Sequence, residues 1–176
     1  MNYTLESDFE YKGYRCVVIF SKGGHRCGYV GITNKHPLYG KYHSDQCLEL
    51  NMKNIENDEI GKRGIIPILC MDYENIENGV RPDCYFDVHG GITYSDDSDT
   101  YPVKSDNLWW LGFDCAHCDD GKDLDLALKY GLIDNKYYES MKEIENKYPT
   151  YGTIRSLSYC EQECKNLVDQ LETITK

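Results

Sequence analysis

YRCVVIFSKGGHRCGYVGI, residues 14–32, is two runs of β-branched and aromatic residues joined by Ser21-Lys22-Gly23-Gly24. Gly-Gly supplies the positive φ angles of a tight turn, so the segment predicts a hairpin of Tyr14–Phe20 and Arg26–Ile32. Beyond it the chain is irregular. Pro37 and Gly40 interrupt TNKHPLYGKYHS, residues 49–64 are polar and charged, and DYENIENGVRPD is loop-like after a short apolar strand candidate at Ile65–Cys70. Strand-like sequence resumes at Cys84–Tyr94, which holds FDVHGGITYS, and at Leu108–Phe113, which opens LWWLGFDCAH. An acidic loop, SDDSDTYPVKSDN, separates the two.

After Gly121 the chain turns helical, with DLDLALKYGLI and NKYYESMKEIENKY as short candidates, the second stopped by Pro149. The last element is clearer. From Ser158, with Glu161 placed as its capping-box partner, apolar residues recur at Cys160, Cys164, Leu167, Val168, Leu171 and Ile174. Strands first and helices afterwards predict one α+β domain over residues 1–176. Its antiparallel sheet would contain Tyr14–Phe20, Arg26–Ile32, Tyr85–Tyr94 and Leu108–Phe113, with the terminal helix packed on one face. Residues 44–83 read as an insertion or loop region.

A net charge of −11 and a pI near 4.8 argue against a nucleic-acid polymer as partner, since such binders present a basic face. No apolar run is long enough to span a membrane, and MNYTLESDFEY lacks the pattern of a signal peptide, so a cytoplasmic location is expected. Nine cysteines then read as reduced thiols, with Cys16 and Cys27 as core hydrophobes. Sixteen tyrosines suggest aromatic surface shared with a planar ligand or a second chain, most simply in a homodimer.

Chemistry concentrates in the two later strands. Residues two apart on a strand share a face, so Asp87 and His89 point one way and Trp110, Gly112 and Asp114 share a face on the other strand. If these strands pair, Asp87, His89 and Asp114 converge at one sheet end, with His117 over them. Gly90-Gly91 leaves bare backbone for a ligand. Three readings compete. Asp87, His89, Asp114 and His117 can ligate a divalent metal, with Asp119 or Asp120 as a fifth ligand, and activate water. Alternatively the same groups grip ribose and phosphate without any cofactor, beside Tyr94, Trp109 or Trp110 as an aromatic wall. The plain alternative is that Asp and His merely cap turns. Cys115 and Cys118 are half a zinc site that Cys160 and Cys164 could complete, although the last two already lie on the helix stripe. His25 and His43 are expected to face solvent, and His36-Pro37-Leu38-Tyr39-Gly40 to form a simple turn, with folding over the sheet end as the alternative.

HRCGYVGI, HPLYGKYHS, DVHGGITYS, WWLGFDCAH and RSLSYCEQECKNLVDQL together resemble a family of small phage-encoded hypothetical proteins. Its members combine an H-G-G-[IL]-T-[YF] strand, a W-x-G-F-D-x-x-H strand and a terminal helix preceded by Arg and Tyr. Residues 44–83 are an insertion relative to its shortest members, and Cys118 stands where many carry Gly. The resemblance implies a phage accessory protein and marks His89, Gly90, Gly91, Asp114, His117 and Asp119, but names no reaction. Such proteins often counter host defence. The expected function is therefore capture of a nucleotide-derived small molecule, such as an immune signal, by these residues with Thr93, Tyr94 and Trp110. Metal-dependent cleavage of that signal, or inhibition of a host enzyme by an acidic surface, are the alternatives.

Overall fold

Two tight turns built on left-handed residues fold the first 32 residues into a three-strand meander: β1 (Tyr3–Tyr11), β2 (Tyr14–Ser21) and β3 (Arg26–Ile32). Lys12 (φ 51°) and Gly13 (φ 82°) make the first turn, and Gly24 (φ 83°) closes the second. Positive φ at both central residues of the first turn matches the twist of paired strands. The computed structural model describes residues 2–50, 79–97, 99–149 and 151–174. Later come α1 (Pro82–Tyr85), β4 (Tyr94–Asp96), β5 (Trp109–Asp114), α2 (Leu124–Lys129), α3 (Asn135–Lys147) and α4 (Leu157–Ile174). The strands form one antiparallel sheet in the order β1-β2-β3-β5-β4. With α4 across it, the domain is α+β.

The central strands are buried on both faces, which is why β2 reads as a continuous apolar run rather than an alternation. Cys16, Val18, Val30, Ile32, Leu111 and Phe113 share a core with Cys160, Cys164, Leu167, Val168 and Leu171 of α4. Those five helix residues are buried, as the stripe requires. The opposite face carries Val17, Ile19, Cys27, Tyr29 and Trp110, covered by Tyr3, Tyr94, Tyr101 and Val103. Burial pushes the Cys16 and Cys27 thiols up to about 12, so both behave as apolar side chains.

Several boundaries differ from the sequence reading. The Tyr85–Tyr94 strand does not form: Pro82–Tyr85 is a helical turn, and only Tyr94–Asp96 pairs with β5. Gly90 (φ 68°) and Gly91 (φ 85°) hold left-handed backbone, which breaks a strand. Residues 87–89 instead run beside α4. The Asp87 amide donates to Gln170 Oε1 at 2.8 Å and the His89 amide to Glu163 Oε2 at 2.8 Å. The α4 cap is Ser156, whose Oγ accepts from the Tyr159 amide at 3.1 Å, rather than Ser158. Glu161 accepts from Ser7 Oγ at 2.6 Å instead of closing a capping box. Strand β1 is an addition to the expected sheet. Asp123 and Asp134 cap α2 and α3. The Ile65–Cys70 candidate lies outside the described residues, while the flanks of that region meet in a bridge between Cys47 and Val80.

Gly28 marks where α4 presses closest to the sheet. A Cβ there would stand 2.5 Å from Phe113 Cε1 and 2.9 Å from Cys164 Sγ, both on buried residues. Gly28→Ala should therefore destabilise the fold by roughly 1–3 kcal/mol through overpacking. Urea unfolding should show a lower midpoint at unchanged slope, and an unshifted midpoint would refute this packing account.

Candidate functional site

Asp120 organises the end of the sheet. It lies just beyond β5, in a turn where Asp114 Oδ1 accepts from the Ala116 amide at 3.1 Å and the Asp120 amide donates to the His117 carbonyl at 3.0 Å. Asp120 Oδ2 accepts from the His117 amide at 2.9 Å and meets His89 Nε2 at 2.8 Å; its Oδ1 accepts from Arg155 Nε at 2.8 Å. Only 2% of its side chain is exposed. Burial alone would raise its pKa. The bonds from Arg155, His89 and the His117 amide outweigh that and hold it down to about 2.

The two imidazoles flank this carboxylate. His89 is nearly buried, with its Nδ1 3.0 Å from the Tyr159 hydroxyl of α4. His117 is 39% exposed, its Nδ1 3.5 Å from Asp120 Oδ2 and its ring centroid 5.4 Å from that of His89. Arg155 stacks over the Tyr159 ring at 5.3 Å. The result is a chain from Tyr159 through His89 and Asp120 to Arg155, with His117 at its open side. Gly90 is required there twice over, by its positive φ and because a Cβ would lie 2.5 Å from His117 Nδ1.

The structure brings His89, Gly90 and His117 together, but not by strand alternation, and it places the other expected residues differently. Asp87 is exposed, and its backbone rather than its carboxylate is engaged by Gln170. Asp114 binds Thr93 Oγ1 at 2.8 Å and braces the turn. Asp119 is exposed, its carbonyl accepting from the Thr153 amide at 2.8 Å. The Gly91 amide is spent on the Val88 carbonyl at 2.9 Å, so the expected pair of bare amides reduces to Gly90. Trp110 is fully buried on the opposite face with Nε1 bonded to Ser105 Oγ, and Tyr94 packs there on Tyr29 and Tyr101. Neither belongs to this cluster. Trp109 packs against Tyr39 and Tyr42 instead.

The remaining candidates are structural. Cys115 and Cys160 are buried with sulfurs 3.7 Å apart, whereas Cys118 is exposed and Cys164 faces the carbonyls of Val17 and Tyr29. Among the described residues, the one group spaced to hold a metal is His89, His117 and Asp120, without a cysteine. His25 and His43, expected in solvent, are half-buried against Ser21 and Ser95. His36 is buried in its turn, bonding the Leu171 carbonyl twelve residues along α4 from Tyr159, or about 18 Å away. Arg155 and Tyr159 escaped the sequence reading as functional groups, although both lie in the RSLSY stretch that carries the resemblance.

Fold and site together define a class: a small α+β domain with an imidazole–carboxylate–guanidinium cluster where the sheet end meets the terminal helix. No known family model, no curated protein and no solved structure matches the chain. No described helix is long and apolar enough to cross a membrane.

Proposed function

We propose that the protein captures a phosphate-bearing, nucleotide-derived small molecule at this end of the sheet, as a phage accessory factor that withdraws an immune signal. The observation that carries the reading is Arg155. Its Nε is committed to Asp120, which fixes the guanidinium plane, while no described residue bonds its η nitrogens. A pre-oriented guanidinium with open donors suits a phosphate oxygen pair. The exposed His117 and the Gly90 amide, bonded to no described residue, add neighbouring donors. This local arrangement serves an anion despite the overall charge of −11. Tyr159 and the imidazoles replace Tyr94 and Trp110 as the flat surfaces for a base.

Cleavage of the same molecule is a second reading, favoured by one observation: ligand atoms of His89, His117 and Asp120 lie within 4.8 Å of one another. One experiment separates the two. The purified chain is incubated with a panel of cyclic and ADP-ribose-type nucleotides, then heated, and the released nucleotide is analysed. Recovery of intact ligand after tight binding is the result expected from capture; recovery of fragments establishes cleavage. Arg155→Ala should weaken binding roughly ten- to a hundred-fold, the effect of losing one charge-assisted contact. Unchanged affinity in that variant would overturn the assignment.

A further inference from the structure

We infer that His89, His117 and Asp120 form a binding site for one divalent transition-metal ion of the zinc class. Three protein ligands with nitrogen and oxygen donors select Zn²⁺, Co²⁺ or Ni²⁺ over Mg²⁺ and Ca²⁺, which take mostly oxygen. The spacing is already close. Metal–ligand bonds of about 2.0–2.2 Å at tetrahedral angles put donor atoms about 3.3 Å apart. Asp120 Oδ2 stands 2.8 Å from His89 Nε2 and 3.5 Å from His117 Nδ1. All three ligand atoms lie within 4.8 Å of one another, so the two imidazoles close in on the ion from either side of Oδ2.

The surrounding groups are those a metal site needs. Arg155 holds Asp120 through Oδ1, so Oδ2 is the oxygen presented to the two imidazoles. Tyr159 meets His89 at Nδ1, the nitrogen away from the carboxylate. An outer partner on the second ring nitrogen is the usual companion of a metal-bound imidazole. On binding, the hydrogen that His89 Nε2 shares with Asp120 moves to Nδ1, where the Tyr159 oxygen accepts it. Nε2 and Oδ2 then each have a lone pair to offer the ion. A donor set of three leaves a coordination position open, the pattern of sites that engage water or substrate. Asp87 and Asp114 are not part of it.

The metal site shares His117 and Asp120 with the proposed capture site, but its test does not depend on nucleotide capture, since the ion is its own probe. The full chain is treated with chelator, dialysed and titrated with Co²⁺, reading the visible absorption of a low-symmetry site, and with Zn²⁺ by calorimetry. One ion per chain is expected at micromolar or tighter affinity. His117→Ala should weaken it at least a hundred-fold, and this partly exposed side chain lies outside the apolar core, so the fold should stay intact, checked by circular dichroism. Cys118→Ser should bind normally. Absence of binding at micromolar Zn²⁺, equal affinity in His117→Ala, or loss of the ion in Cys118→Ser would each overturn the assignment. Nucleotide binding that survives chelation would bear on capture alone and leave the metal site standing.

Discussion

Arg26→Leu should destabilise the fold by about 3–5 kcal/mol, the cost of stranding one partner of a buried ion pair. Arg26 and Glu6 have side chains only 9% and 5% exposed, joined by two bonds of 2.7 and 3.0 Å. The register of β1 explains how they meet. Leu5 pairs with Ile19 and Ser7 with Val18, so Glu6 is the extra residue of a β-bulge. Removing the guanidinium leaves the buried carboxylate with the Tyr130 hydroxyl at 3.0 Å. The third bond of Arg26, at 2.8 Å, goes to the Arg155 carbonyl, so the loss also loosens the chain that presents the site. Denaturant unfolding should show the full shift. Glu6→Gln, Arg26→Leu together should cost less than Arg26→Leu alone, because no buried charge is then left unpaired. A single variant within 1 kcal/mol of wild type would rule out this account.

That same bulge explains why β1 was illegible in the sequence. YTLESDFEY carries Glu6, Ser7 and Asp8 in a row, and the inserted residue breaks the two-residue alternation that signals a strand. The hairpin and α4 were legible because each satisfies its pattern locally: a Gly-Gly turn between apolar runs, and one stripe at helical spacing. The 84–94 segment shows the opposite failure. Its composition is strand-like, but two left-handed glycines redirect it along α4, where Gln170 and Glu163 capture its backbone. Such tertiary capture leaves no local signature.

The site divides along similar lines. His89 and His117 were identifiable because imidazoles beside glycine and acidic residues are uncommon in apolar strand sequence. Which carboxylate joins them was not, since Asp114, Asp119 and Asp120 are equally acidic and only the turn geometry separates them. Asp114 braces that turn, Asp119 faces solvent, and Asp120 folds under. Arg155 and Tyr159 reach the cluster from the far end of the chain, at 35 and 70 residues from their partners. No spacing rule connects positions so distant.

Asp120→Ala should have the largest effect on the site, at least a hundred-fold loss of ligand binding with about 3 kcal/mol of stability. One carboxylate accepts from the His117 amide, from Arg155 Nε and from His89, so its removal releases all three at once. The His117 turn loses its side-chain bond and keeps only the backbone bond from the Asp120 amide to the His117 carbonyl. Arg155 loses the contact that fixes its plane, and a mobile guanidinium must then be ordered by the ligand itself. Asp120→Asn keeps the shape and one acceptor oxygen but not the charge, so it should fall between the alanine variant and wild type in stability. The coupling gives a sharper readout. If Arg155 acts through its bond to Asp120, adding Arg155→Ala to Asp120→Ala should weaken binding far less than the roughly ten- to hundred-fold expected in the otherwise native chain. Fully additive losses would mean that Arg155 holds the ligand without Asp120 to position it. A stable, fully binding Asp120→Ala would remove this carboxylate from the centre of the site.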